Sequence, residues 1–226
     1  MALCEFTVKS KRDMIKAIGT YGFLPFFRNA VPGFSIEEHV SPKVWFDGGE
    51  GVWEWKGPVI RETGCAYGKF FDKKAVFISR EWFADFANFR RDGYDFDAGY
   101  EDGLYAASDK DLYELLAERE PILSKDLKAC GGYGRGGKKG FDTVVTRLQM
   151  NGYAVISDFV YETDKTGKPY GWGIASYATP EKLFGKAFTD HVYKRKPEES
   201  FDRIVNHLSA LFPETDKTVL IKLLRR

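Results

Sequence analysis

Between Gly132 and Gly152 the chain reads GYGRGGKKGFDTVVTRLQMNG. Gly132, Gly134 and Gly137 satisfy the G-x-G-x-x-G spacing that lets a backbone close on a phosphate, and Lys138 and Lys139 follow directly. Two chemistries use such a stretch. One holds the phosphates of a nucleotide cofactor. The other lays a turn and a helix N-terminus along nucleic acid. The cofactor version needs a buried strand before the glycines and a βαβ unit around them. Here the preceding SKDLKAC has the composition of a helix, and the acid near position 157, Asp158, sits inside a strand-like alternation and not at a strand end. A Walker loop needs Ser or Thr after the lysine, and Lys139 is followed by Gly140. No nucleotide cofactor, and no other cofactor, is therefore expected.

The elements around this stretch support the second chemistry. Leu112, Leu115 and Leu116 mark one apolar helix face from Asp109 to about Arg119. Ser124 reads as the N-cap of a second short helix, KDLKAC. Phe141, Val144, Val145 and Leu148 stand at i, i+3, i+4 and i+7, the stripe of a third helix ending at Gly152. YAVISDFVYE and YGWGIASYA read as strands around the turn TDKTGK, with Tyr170, Trp172 and Ile174 on one side. Three helices and then a hairpin is the order of a winged helix-turn-helix.

That order gives the basic residues a use. Lys125, Lys128, Arg135, Lys138, Lys139 and Arg147 face two acids, Asp126 and Asp142, a local charge of +4 in a chain of net charge +1. Thr143, Thr146 and Arg147 fall on the helix face opposite the apolar stripe, and Lys165 and Lys168 sit at the hairpin tip. Contacts of this kind to phosphate supply affinity without reading sequence. Double-stranded DNA is the expected partner. The alternative is a solvated basic turn on a domain that binds only protein.

The first half is harder to read. Ser10 to Ile18 has helical spacing up to Gly19. KVWFDGGEGVWEWKGPVIRETGCAYGKFF, with its paired glycines and alternating aromatics, reads as short strands and turns. SREWFADFANFRRDG reads as a helix capped by Ser79, and YDFDAGYEDGLYAASD as a solvated acidic loop and a boundary. The expected fold is α+β. An aromatic-rich α+β region spans 1–105, open to being a degenerate second winged unit; a winged helix spans 106–196, and C-terminal helices in 197–226 pack back on the body. In those helices Leu220, Leu223 and Leu224 are assigned to the core.

The totals narrow the class. The 226 residues suffice for a substantial core, and aromatics reach 16%. Cys4, Cys65 and Cys130 lack C-x-x-C spacing and read as reduced thiols in a cytoplasmic protein. The start MALCEFTVKSKRD lacks the apolar run of a signal peptide, and no segment approaches the roughly 18 apolar residues of a membrane span. His39, His191 and His207 lack ligand spacing, and DGYDFDAGYED lacks the alternation of a calcium loop, so no metal site is expected. No G-x-S-x-G nucleophile elbow is present.

TRLQMNGYAVISDF, Thr146 to Phe159, adds a further signal. With its winged-helix surroundings it resembles the AlkZ/YcaQ-like, AlkZ-related family of DNA glycosylases, built from tandem winged-helix units. That family carries a catalytic Gln-Φ-Asp or Gln-Φ-Gln, where Gln149, Met150 and Asn151 stand here. The resemblance implies excision of N7-alkylated purines from duplex DNA. Gln149 would position water against an oxocarbenium-like sugar. Asn151 could assist through its amide oxygen but cannot act as a general base, which implies slower chemistry than Asp would give. Excision also needs the base turned out of the stack, and Trp53, Trp55 and Tyr67 are the candidates to stack on it. The competing readings are core packing for Trp53 and Trp55, and an ordinary helix stop for Asn151-Gly152. At the level of function the alternatives are a non-catalytic winged-helix DNA-binding protein or a protein-interaction domain.

Overall fold

The computed structural model describes residues 6–45 and 51–225; Cys4 and residues 46–50 lie outside them. The chain opens with α1 (Lys11–Tyr21) and β1 (Phe23–Pro25), then α2 (Pro42–Trp45) and α3 (Val52–Thr63). A hairpin, β2 (Ala66–Phe71) and β3 (Lys74–Ile78), leads into α4 (Arg80–Arg91) and α5 (Phe96–Glu101). Next come α6 (Ala107–Arg119), the two-residue β4 (Ile122–Leu123), α7 (Ser124–Cys130), α8 (Phe141–Met150), and the long hairpin β5 (Val155–Thr163) and β6 (Pro169–Ala178). Short α9 (Pro180–Phe184) and α10 (Lys186–Thr189) precede α11 (Pro197–Leu211) and α12 (Lys217–Leu224).

The strands form one mixed-chain sheet in the order β1-β3-β2-β5-β6-β4, with all of these pairings antiparallel. Strands from both sides of position 105 share it. They meet at a single ladder pair, Tyr67 opposite Ile156. Around it helices cover both faces, so the fold is mixed α and β.

Three expectations for the first half need correction. Helix α1 does not stop at Gly19; it runs to Tyr21, and Gly22 takes the left-handed φ of 72° that ends it. A Cβ at Gly22 would meet the Trp82 ring at 2.4 Å, so only glycine fits. The Trp53 and Trp55 segment is a helix, not strands: α3 buries Val52, Lys56, Val59 and Ile60 at i, i+4, i+7 and i+8. That stripe is masked in the sequence because a lysine occupies one of its core positions. The acidic stretch after α4 is no solvated loop. Asp95 caps α5 by accepting from Ala98 N at 2.8 Å. Phe96 stacks 4.0 Å from Tyr113, and Tyr105 and Tyr153 share a hydroxyl contact of 2.9 Å.

The second half follows its periodicity closely. Phe141, Val144, Val145 and Leu148 are all buried. Ser124 begins α7 rather than capping it; Leu123 holds the cap position. Ser79 does stand at the cap of α4, without a side-chain bond. Helix α11 packs on α4, and Leu220, Leu223 and Leu224 are in the core beside it. Burial of each is worth roughly 2 kcal/mol.

The end of α8 is tied down from below. Arg91, 1% exposed, donates to the Gly152 carbonyl at 2.8 Å, to Glu181 at 2.7 Å and to the Tyr193 hydroxyl at 2.9 Å. Gly152 has φ 76°, and a Cβ there would lie 3.2 Å from the Ala87 backbone. Asn151-Gly152 is thus a packed joint between α8 and α4.

Candidate nucleic-acid interface

Helix α6, strand β4, helix α7, a glycine turn, helix α8 and the β5–β6 hairpin follow one another, and β4 closes the group by pairing with β6. The glycine turn is built on a buried Tyr133, whose ring packs 5.6 Å from Phe141. Lys138 N bonds back to the Gly132 carbonyl at 2.8 Å, which presents Arg135, Lys138 and Lys139 outward. Gly140, at φ 88°, caps α8 without a side-chain bond, and Asp142 is the acid in the first turn of the helix.

The basic residues fall into two sets. Lys128, Arg135, Lys139, Lys165 and Lys168 are exposed and carry no carboxylate partner among the described residues. Lys125 and Lys138 are exposed but paired, to Glu162 at 2.9 Å and to Asp111 at 3.0 Å. The hydrogen bond from Lys125 holds the Glu162 carboxyl below the usual range, and Tyr170 adds to this. At the hairpin tip, Asp164 accepts from Thr166 and from Lys168 N, and these bonds lower its carboxyl too.

Arg147 is used differently. Its guanidinium grips buried Asp109 through contacts of 2.5 and 2.8 Å, joining α8 to α6. Thr146 is 8% exposed, and Lys69 Nζ reaches its hydroxyl at 3.4 Å. Of the three polar residues expected on the outer face of α8, Thr143 is the exposed one.

Gln149 is fully buried. Its Oε1 accepts from Lys69 N at 3.0 Å, and its Nε2 donates to the Val145 carbonyl at 3.1 Å. The β2–β5 ladder ends after one pair, and Gln149 takes the next strand N–H in place of a β5 carbonyl. Gly68 makes the room; a Cβ there would lie 3.0 Å from Oε1. Asn151 is 6% exposed at the C-cap of α8.

The aromatic candidates lie on the far side of β2 and β5. Tyr67 is in the core, 4.4 Å from Phe77 and 5.7 Å from Phe159, and burial pushes its hydroxyl pKa up strongly. Trp55 is half-buried against the same core. Trp53 is half-buried among Phe26, Phe27, Trp45 and Trp172. A cavity of about 700 Å³ beside Arg28, Lys74 and Lys222, and one of about 460 Å³ beside Arg90 and Leu104, are lined by neither Gln149 nor Trp53.

Sequence reasoning missed two features. Trp172 and Tyr170 are 71% and 53% exposed on the hairpin. The register jumps from Val160–Ile174 to Glu162–Tyr170, so Gly171, Trp172 and Gly173 share the single partner Tyr161, and the simple alternation of Tyr170, Trp172 and Ile174 fails there. The glycines on either side of Trp172 were the legible sign of that bulge. The second feature is Lys56, 8% exposed, whose Nζ lies 4.3 Å from the ring centres of both Trp53 and Phe159.

The other singled-out residues are structural. His39, His191 and His207 each bond a backbone carbonyl, of Gly33, Ala187 and Tyr21. Cys65 is buried, which pushes its thiol up to about 11, and Cys130 is exposed. Among the described residues no helix is long and apolar enough to cross a membrane, and no group of three His, Cys, Asp or Glu is placed to hold a metal.

The chain is mixed α and β, with a basic glycine turn between α7 and α8 and a long hairpin in its six-stranded antiparallel sheet. The model of the family described as AlkZ related matches residues 8–225, nearly the whole chain, and the chain belongs to that family. Comparison with curated proteins and with solved structures gives no match.

Proposed function

We propose that the chain is a winged-helix protein that binds duplex DNA, related to the glycosylases that excise alkylated purines. The observation that carries the reading is the second half's order, α6-β4-α7-α8-β5-β6 with β4 on β6, which sets exposed cations on the α7–α8 turn and at the hairpin tip. In this reading α8 and the turn before it meet the phosphate backbone, and the hairpin is the wing. Lys128, Arg135, Lys139, Lys165 and Lys168 supply the charge, Thr143 and the α8 N-terminus add neutral donors, and Lys125 and Lys138 exchange a carboxylate for a phosphate at little cost.

The base-excising reaction is proposed on family kinship, with Gln149 to position water, Asn151 to assist, and Trp53 or Trp55 to stack on the base. The burial of Gln149 favours a second reading, a winged-helix DNA binder in which this glutamine fastens β2 to α8 and excises nothing.

Release of base from a duplex carrying N7-methylguanine separates the two. Salt-dependent binding to undamaged duplex is measured alongside, and Gln149→Ala is compared after its folded fraction is checked. Excision by the wild type, lost in the folded variant, supports the enzyme. Steeply salt-dependent binding without excision leaves the DNA binder. Neither binding nor excision sinks both and leaves a protein-interaction domain.

A further inference from the structure

Lysine is rarely buried without a partner, because removing an ammonium from water costs several kcal/mol. Lys56 is buried on the core-facing stripe of α3 and has no ion pair among the described residues. Its amine meets ring faces instead: Trp53 and Phe159 at 4.3 Å, Phe26 at 5.8 Å. Helix α3 lies close on β5 at this point; a Cβ on Gly57 would come within 2.9 Å of Asp158 Oδ1. The Trp53 ring that covers the amine also carries Trp172, 6.0 Å away and mostly in solvent. One aromatic layer therefore separates Lys56 from the exposed face of the hairpin. From Phe159 to the tip with Lys165 and Lys168 is about five residues, or roughly 16 Å along the strand.

We propose that Lys56 is an amine nucleophile toward abasic sites in DNA, making the chain an abasic-site lyase. The inference rests on the DNA-binding reading above. An abasic sugar has no base to fill the stack, and its ring-opened form presents an aldehyde at C1′. Rotation of Trp172, and of the Trp53 ring that it packs on, uncovers the amine to that sugar, and the Trp172 indole occupies the gap in the stack. The neutral Nζ adds to C1′, a proton moves from nitrogen to the carbonyl oxygen, and after a second proton from solvent reaches that hydroxyl, water leaves to give an iminium. Loss of the C2′ proton to solvent then drives β-elimination: the C3′–O bond breaks and the phosphate-terminated strand departs. Water hydrolyses the iminium and returns the amine, so no oxidant or reductant is consumed.

The surroundings suit the step. Burial pushes Lys56 down to about 8, with Glu54 opposing weakly. Among the described residues, the other charged or titratable groups near α3 include Tyr161 on β5, the buried Tyr67 on β2 against Phe26 and Phe159, and two ion pairs, Asp158 with Arg61 and Glu62 with Lys11. About a quarter of the amine is then neutral near pH 7.5, against about one part in a thousand for an ordinary lysine.

The test uses the full chain and a duplex with one abasic site, made by removing a uracil, in the presence of sodium cyanoborohydride. A covalent protein–DNA adduct is expected, with strand nicking when the reductant is omitted. Peptide mapping of the wild-type adduct should place the sugar on Lys56, a readout that needs no variant to fold. Lys56→Met should reduce trapping to background, Lys16→Met on the surface of α1 should not, and the trapping rate should rise with pH to a midpoint near 8. An adduct on another lysine, or unchanged trapping in Lys56→Met, overturns the assignment. Duplex binding without any adduct overturns the lyase and leaves the DNA-binding reading intact. Absence of duplex binding removes both.

Discussion

Gln149 on α8 accepts a hydrogen bond from the backbone N–H of Lys69 on β2, 80 residues earlier, at 3.0 Å. This bond continues the seam between the two halves of the sheet where the β2–β5 ladder stops. The side chain acts as one more strand residue, and its own amide is satisfied by Val145. A glutamine in this position is buried and bonded at both ends, and its first task is to hold the sheet.

Gln149→Leu keeps the volume but leaves the Lys69 N–H buried without an acceptor, a cost of about 1–3 kcal/mol. Gln149→Ala adds a cavity and should cost more, about 2–4 kcal/mol. Urea unfolding at neutral pH measures both. Loss of excision in either variant is meaningful only at urea concentrations and temperatures where it is folded. Stability equal to wild type in both variants would show that the seam does not depend on this bond.

The unpaired cations should carry the salt dependence of duplex binding. Substituting Lys128, Arg135, Lys139, Lys165 or Lys168 by Ala should each lower the slope of log K against log salt by about 0.9 if that residue meets a phosphate. Glu162→Gln should do the reverse of a cation loss: it frees Lys125 and removes a negative charge from the hairpin, so binding tightens. Anisotropy titrations from low to moderate salt give all six numbers. A Glu162→Gln variant that binds more weakly would put the hairpin away from the duplex.

Arg147 should behave as a stability residue. It holds Asp109, whose side chain is 3% exposed, and removing it leaves that carboxylate nearly buried and unpaired. Because Arg147 itself is partly solvated, the cost of Arg147→Ala is about 2 kcal/mol rather than the full value for a buried pair. Pairing it with Asp109→Asn should recover part of that loss. Thermal unfolding of the single and double variants decides it. If Arg147→Ala leaves stability untouched and instead weakens duplex binding as Lys139→Ala does, Arg147 belongs with the phosphate contacts.

What could be read in advance follows from where the chain obeys a simple period. Phe141, Val144, Val145 and Leu148 keep a strict helical stripe, and the helix they mark, α8, ends at Met150, two residues short of the expected Gly152. Helix α3 was hidden because Lys56 interrupts its stripe and Trp53 and Trp55 mimic a strand. The stretch from Tyr94 to Tyr105 looked like a loop because its acids are numerous, yet Phe96, Tyr105 and Tyr153 form a ring cluster that only tertiary contact reveals. At the candidate interface, charge was visible in sequence but pairing was not. Nothing local told Arg147, which is tied to Asp109, from Lys139, which is not. The burial of Gln149 depends on Gly68 and Lys69 from the other half of the chain, beyond the reach of any short motif.

The buried amine gives a stability effect with a defined sign. Burial pushes Lys56 from an ordinary lysine value down to about 8 in the folded chain. Between about pH 8 and pH 10.5 the unfolded chain therefore binds a proton that the folded chain does not, and stability rises with pH across that window. Below pH 8 both states are protonated and the folded state bears the whole penalty. The shift corresponds to about 3 kcal/mol at most, and attraction of the ammonium to the faces of Trp53 and Phe159 offsets part of it, leaving about 1–3 kcal/mol. Lys56→Met fills the same space without a charge. It should be more stable than wild type at pH 7 by that amount, and its advantage should vanish by pH 10.5. Burial raises Cys65 and the buried tyrosines in the folded chain, so their unfolded forms titrate across the same window, but they are common to both proteins and cancel in the difference. Urea unfolding of the two proteins from pH 6.5 to 10.5 reads the difference directly. A difference independent of pH would mean that Lys56 keeps its proton as an exposed lysine does, and the aromatic enclosure would then stabilise the ammonium instead of discharging it.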